Sequence, residues 1–351
     1  MKLKPLITRI SLIAVILTAG VMTWTDSPSA APAPPALLLN AAGATFPYPI
    51  YSKWFTEYNR IHPDIQINYQ SIGSGGGIRQ LQAGTVDFGA SDAPMSDEQL
   101  QQAKTPVLHF PTVLGAVVPT YNINGVNQEL SFTGEVLADI FLGKITKWND
   151  PAIASINKGV SLPGADIVVV HRSDGSGTSY VWTDYLTKVS KEWETKVGRN
   201  TSVNWPVGLG GKGNEGVSGL VKQTPGAIGY VELIYAIQNK MPYGRVKNAA
   251  GAVVKADLAS VTAAAAAEAK KIPADFRVSI TNAQGKGAYP ICSFTYLLIP
   301  SKIEDGAKKQ AIKEFLHWML TTGQNDAEGL AYAKLPKDVV TRELKAIGQI
   351  N

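Results

Sequence analysis

Two short runs carry residue types suited to holding an anion: Ser74-Gly75-Gly76-Gly77 and Ser176-Gly177-Thr178. The second follows closely on Arg172 and Asp174. Hydroxyls, backbone N–H groups unobstructed by a Cβ and a guanidinium fork are all donors, and together they suit a tetrahedral oxyanion. Thr45, next to Phe46, adds a further hydroxyl. Asp174, two residues beyond Arg172, is placed to hold its guanidinium.

Asp92 is the exception, because a carboxylate repels an oxyanion. It fits a ligand that keeps a proton. The carboxylate then accepts that O–H and rejects an anion lacking one. Unpaired buried polar groups cost enough for a discrimination of about 10⁴ or more. At neutral pH phosphate retains a proton and sulfate does not, so this one acid among donors selects phosphate. Taken singly, every feature has a plainer reading. The glycines form a strand-to-helix turn, Ser176 is an N-cap, Arg172 and Asp174 make a surface pair, and Asp92 caps a helix.

The elements that must position these residues alternate. Pro47 and Pro49 open a helix with Ile50, Tyr51, Trp54, Phe55 and Tyr58 on one face, stopped at His62-Pro63. Ile65, Ile67 and Tyr69 alternate with polar residues, as in a half-buried strand. The glycines after Gly73 read as a turn before a helix over 78–83. Residues 86–90 read as a strand ending at Ser91-Asp92, and Ser96 with Gln99 as a capping box. Buried strands are expected over 113–118, 167–170, 226–231 and 291–299. Helices are expected over 135–142, from the Ser176 run through Leu186, over 263–270 and over 306–320. This order implies α/β layers on a mainly parallel sheet, with Thr45-Phe46, Ser74, Asp92 and Arg172–Thr178 along the edge where strands end and helices start.

With 351 residues and 45% hydrophobic content, the chain fills about two domains and is not a disordered one. The formal net charge of +5 is partly carried by Lys2, Lys4 and Arg9, and no basic cluster suits nucleic acid. The single cysteine, Cys292, excludes an internal disulfide, and four scattered histidines give no zinc pattern. Residues 1–31 follow the secretory pattern: basic start, apolar run from Ile10 to Trp24, then Ser27 to Ala31, small apart from Pro28. We expect a cleaved signal peptide and a periplasmic location. A retained anchor is the alternative, but the run is short for a span. Pro32, Pro34 and Pro35 form a leader.

The stretches AGATFPYPIYSKW (42–54), YQSIGSGGGIRQL (69–81), VDFGASDAPMSDE (86–98), RSDGSGTSYVWTDYL (172–186), WPVGLGGKGNEGV (205–217) and GAIGYVE (226–232) recur in the order of a known family. The chain after the export segment resembles the periplasmic phosphate-binding proteins of high-affinity phosphate ABC transporters, the PstS family. The resemblance implies a two-lobed periplasmic binding-protein fold of type II, with a cleft between lobes and two hinge strands. Lobe 1 would comprise 32–113 and 288–351, lobe 2 would comprise 114–287, and the chain would cross near Thr112–Leu114 and Ala288–Ile291. It also implies phosphate bound by Thr45, Phe46 (backbone), Ser74, Asp92, Arg172, Ser176, Gly177 and Thr178, with Asp174 supporting Arg172. Neither cofactor nor metal is implied. The implied partners are inorganic phosphate and the permease and ATPase subunits, with the chain itself a monomer and not an enzyme. Two other readings stay open: a secreted phosphatase with Ser176 as nucleophile, which lacks an obvious partner beyond nearby His171, and a binder of sulfate or another oxyanion. In Gly208–Gly216, Gly211-Lys212 shares the Gly-Lys pair of a P-loop, but no hydroxyl residue follows, so a structural role beside the cleft is expected.

Overall fold

The computed structural model describes residues 37–351; the expected export segment and the proline-rich leader lie outside them. The chain begins with strand β1 (Leu37–Gly43), helix α1 (Tyr48–Ile61), β2 (Ile65–Ser71), α2 (Ser74–Ala83), β3 (Phe88–Ser91) and α3 (Asp97–Gln101). Strand β4 (Val107–Tyr121) runs for 15 residues. It is followed by β5 (Ser131–Phe132), α4 (Gly134–Phe141), α5 (Pro151–Ile156), β6 (Val168–Arg172), α6 (Gly177–Val189) and α7 (Lys191–Lys196). Next come β7 (Leu209–Gly211), α8 (Gly213–Gln223), β8 (Ala227–Glu232), α9 (Leu233–Gln238), β9 (Arg245–Lys247) and β10 (Val253–Val254). Helix α10 (Leu258–Glu268), β11 (Cys292–Pro300), α11 (Gly306–Thr321) and α12 (Lys337–Ala346) complete the set.

Helix α1 shows why such segments fold as they do. Its five expected apolar residues are all buried, and the indole N–H of Trp54 donates to the Gly323 carbonyl at 2.7 Å. Full burial of each large side chain contributes about 1.5–3 kcal/mol. The helix ends at His62 because Pro63 follows. The Ser96–Gln99 capping box forms in both directions, and Thr133 accepts from the Val136 N–H to start α4.

Eight strands form a sheet in the order β2-β1-β3-β11-β4-β8-β6-β7, and β10-β9-β5 form a small one. Strand β1 lies parallel to β2 and β3, and β6 lies parallel to β7 and β8. The centre departs from the mainly parallel sheet expected, since β11 is antiparallel to β3 and β4, and β4 is antiparallel to β8. Alternating strands and helices specify parallel neighbours only where a helix crosses between them. The β4–β11 pairing joins distant segments and leaves no such local trace.

This centre divides the molecule into two α/β halves. Residues Val107–Ala116 of β4 pair with β11, and Val117–Tyr121 pair with β8. The fold is thus two-lobed, with β4 common to both halves. Parallel strands of both halves end towards the middle, so the starts of α1, α2, α6 and α8 converge there. Helix α2 begins at Ser74, not at residue 78, so the glycines are its first turn. That turn sits hard against β1: a Cβ on Gly77 would stand 2.5 Å from the Ala42 oxygen and from the Gly43 Cα. Among the described residues no helix is long and apolar enough to cross a membrane.

Candidate functional site

Four helix starts meet at one buried place between the halves, and three of them lack a side-chain cap. Pro47, Gly73 and Lys212 occupy the N-cap positions of α1, α2 and α8, and none bonds the first turn with its side chain. A serine or aspartate there would occupy those N–H groups. Only α6 is capped, with Ser176 Oγ accepting from the Ser179 N–H at 2.9 Å. Among the described residues, the backbone N–H groups of Phe46, Ser74, Gly177 and Thr178 have no intramolecular acceptor.

Arg172 ends β6 with a fully buried side chain. It grips Asp174 through Nε at 2.8 Å and Nη2 at 2.6 Å, and its Nη1 donates to Thr178 Oγ1 at 3.1 Å. Of the five N–H donors of a guanidinium, two remain free. The pair is buried, not the surface contact that Arg172 and Asp174 would make by the plainer reading. Burial alone would raise the Asp174 pKa, but the Arg172 hydrogen bonds and charge hold it below the ordinary carboxylate value. The Gly213 N–H adds a bond to Asp174 at 3.1 Å.

Asp92 follows β3 and is 1% exposed. Its Oδ1 accepts from Thr295 Oγ1 at 2.7 Å, and its backbone N–H donates to Ser74 Oγ at 3.2 Å. Across the cleft, a Cβ on Gly177 would stand 2.7 Å from the Asp92 Cβ, and nearer still to Ser74 Oγ and Asp92 Oδ2. The two halves also touch through the Gly75 N–H, which donates to the Gly175 carbonyl at 2.8 Å. Thr45 Oγ1 accepts from Asn214 Nδ2 at 2.8 Å, and that amide also donates to Thr178 Oγ1 at 3.1 Å. Phe46 is fully buried, its carbonyl accepting from the Tyr332 hydroxyl at 2.6 Å. Thr45, Phe46, Ser74, Asp92, Arg172, Asp174, Ser176, Gly177 and Thr178 therefore cluster where the two halves meet.

Burial pushes the Asp92 carboxyl up to about 7, against weaker downward pulls from Thr295, Arg172 and Ser74. The unfolded carboxyl ionises near 3.8, so between 3.8 and about 7 the folded chain holds a proton that the unfolded chain has lost. The stability this group confers is therefore complete below the lower value and lost as pH rises through the upper one. The interval is worth at most about 4 kcal/mol, less whatever cleft opening relieves. In urea titrations of anion-free protein, stability should fall more steeply from pH 5 to 7.5 than in Asp92→Asn. Equal slopes would remove this assignment.

The residue types did not reveal Asn214, Thr295 or Glu232. Asn214 lies in the glycine-rich run 208–216, whose contacts now give that run a role where the halves meet. Glu232 ends β8 fully buried, accepting from the Ile234 N–H at 2.8 Å. Burial first, and the Asp92 charge after it, raise its pKa well above the ordinary value. His171 stacks on Trp205 at 4.8 Å, and its Nδ1 lies 3.0 Å from the Arg172 carbonyl oxygen. Among the described residues no group of three or more His, Cys, Asp or Glu is placed to hold a metal.

A two-lobed α/β fold with donors clustered where the halves meet is the architecture of a solute-binding protein, and a PBP superfamily domain matches residues 28–322. The phosphate-binding protein PstS of Xylella fastidiosa (strain Temecula1 / ATCC 700964) is 48% identical over 315 residues, 90% of this chain and 86% of that protein. PstS of Pasteurella multocida (strain Pm70) is 46% identical, over 88% of this chain and 89% of that one. The chain belongs to the PstS family of phosphate-binding proteins. Among solved structures, the high affinity periplasmic phosphate-binding protein PfluDING, bound with phosphate, superposes with a TM-score of 0.69 at 22% identity, over 88% of this chain and 93% of that one. The phosphate binding protein of Stenotrophomonas maltophilia gives 0.67 at 19% identity, over 88% and 94%. At these identities the structures speak for the fold alone.

Proposed function

We propose that this chain binds inorganic phosphate in its cleft and delivers it to the membrane permease subunits of an ATP-driven ABC importer. The observation that carries the reading is the convergence, from both halves, of unpaired N–H donors and a buried guanidinium around one buried carboxylate. The PstS names of the relatives support the same ligand. In this reading the Thr45 and Ser74 hydroxyls, the Phe46 N–H, Arg172, Ser176, and the N–H groups and hydroxyl of Gly177-Thr178 donate to the anion. Asp92, ionised when ligand is bound, accepts the remaining phosphate proton. Asp174 fixes the guanidinium.

Residues 32–113 and 288–351 move as one lobe and 114–287 as the other, turning about the crossing segments near Thr112–Leu114 and Ala288–Ile291. Neither lobe alone presents the full donor set. Phosphate therefore binds the closed form better and shifts the population towards it. The chain is exported by a cleavable signal peptide, works in the periplasm as a monomer and performs no chemistry on its ligand. Ser176 Oγ is occupied as a helix cap, which gives a phosphatase reading no support.

Titration calorimetry on phosphate-stripped protein tests this. Wild type should bind phosphate tightly and give no heat with sulfate. Asp92→Asn should keep phosphate binding within about tenfold and lower the phosphate-to-sulfate discrimination at least about 100-fold, since an amide can donate to an unprotonated oxygen. Unchanged discrimination would remove the acceptor role of Asp92. No phosphate heat from wild type would remove the function.

A further inference from the structure

The amide of Asn214 is fully buried and every one of its hydrogen-bonding groups is used. Its Oδ1 accepts from the Glu232 backbone N–H at 3.0 Å. A backbone N–H can only donate, so this bond fixes which end of the amide is oxygen. The Nδ2 end must then face the two threonines, giving one hydrogen to Thr45 Oγ1 at 2.8 Å and the other to Thr178 Oγ1 at 3.1 Å.

Each of those hydroxyls receives a second donor. Thr45 Oγ1 also accepts from the Asn214 backbone N–H at 3.3 Å, and Thr178 Oγ1 accepts from Arg172 Nη1 at 3.1 Å. A hydroxyl oxygen has two acceptor sites and one hydrogen. With both acceptor sites filled, each hydroxyl can engage a further partner only by donating. The two threonines come from opposite halves of the molecule, so one amide fixes a hydroxyl of each half.

We infer that Asn214 is a positioning residue that, by filling the acceptor sites of Thr45 and Thr178, turns both hydroxyl hydrogens towards the bound anion. The inference rests on the phosphate reading above. It makes the Glu232 backbone, rather than its carboxyl, the start of a chain of set directions: Glu232 N–H to Asn214, Asn214 to both threonines, and the threonines to phosphate. Such a residue need not touch the anion. It removes the freedom of two hydroxyls to point elsewhere, and it prevents them from accepting where the ligand needs donors.

The test is phosphate calorimetry on Asn214→Ala and Asn214→Asp, with Asn214→Ala also made alongside Thr45→Val and Thr178→Val. Asn214→Ala should weaken phosphate binding about 10-fold, and Asn214→Asp about 100-fold or more, because a carboxylate accepts both hydroxyl hydrogens. A packing role predicts the opposite order, since Asp keeps the shape of Asn and Ala leaves a hole. In the double-valine background Asn214→Ala should cost less than about twofold, because the hydroxyls it orients are gone. That cycle contains no added charge, so repulsion by Asp cannot imitate it, and it stands if the Asp variant does not fold. A wild type that binds phosphate while Asn214→Ala binds equally well, or loses the same factor in both backgrounds, overturns the inference alone. A wild type without phosphate heat overturns the phosphate reading and this inference with it.

Discussion

Gly177→Ala should lose phosphate binding by at least about 1000-fold while remaining folded. The added methyl has no place in the closed cleft: it would stand 2.7 Å from the Asp92 Cβ, and closer to Ser74 Oγ and Asp92 Oδ2. These atoms belong to strand ends and helix starts packed into the sheet, so they cannot retreat cheaply. The three atoms nearest that methyl all belong to the opposite half. Gly177 is the first residue of α6 and does not lie in the left-handed region, and alanine is a good helix former there. The substitution thus acts on the meeting of the halves, not on either half. Small-angle scattering should show wild type contracting on phosphate addition and the variant unchanged, while thermal unfolding of the stripped proteins agrees to about 1 kcal/mol. A variant that contracts and binds within tenfold of wild type would show that the halves meet differently.

Arg172→Met should abolish phosphate binding to a similar degree and also destabilise the protein by about 3–5 kcal/mol, the usual cost of leaving one member of a buried pair alone. Asp174 has a side chain only 12% exposed and would keep a single bond, from the Gly213 N–H. The destabilisation should depend on pH in a stated direction. In wild type the Asp174 pKa is depressed, so its contribution is present at neutral pH and lost on acidification. The gap between wild type and variant should therefore narrow as pH falls below about 3.8, the ordinary value of the carboxyl. Arg172→Lys should recover part of the stability but little of the affinity, since an ammonium lacks the planar fork that holds Asp174 and still offers free donors. Urea unfolding at two pH values and calorimetry read both effects. A gap that widens on acidification would contradict the pairing.

Much of this was legible because the site is built from short local patterns. A strand ending in Arg172, a polar turn and Ser176 as cap is a contiguous statement, and so is the Ser96–Gln99 box. The antiparallel centre was not legible, because β4 and β11 are joined by contacts between segments far apart in sequence. The start of α2 was misplaced because glycine has low helix propensity; here close packing on β1 outweighs it. Asn214 and Thr295 escaped notice for the first of these reasons. Their partners are Thr45, Thr178 and Asp92, distant in sequence, and neither residue type announces a ligand by itself. The contacts of this run come from Gly213 and Asn214, the two residues after the Gly211-Lys212 pair.

The most direct measurement is a crystal structure of the protein with phosphate at a resolution that separates the oxygens. The predicted result is one tetrahedral ion between α2 and α6, with the Ser74 and Thr178 hydroxyls, the Gly177 N–H and the Arg172 guanidinium as donors, and a carboxylate oxygen of Asp92 against the one phosphate oxygen that bears hydrogen. An ion held only by one half, or an Asp92 carboxylate turned away from it, would contradict the account.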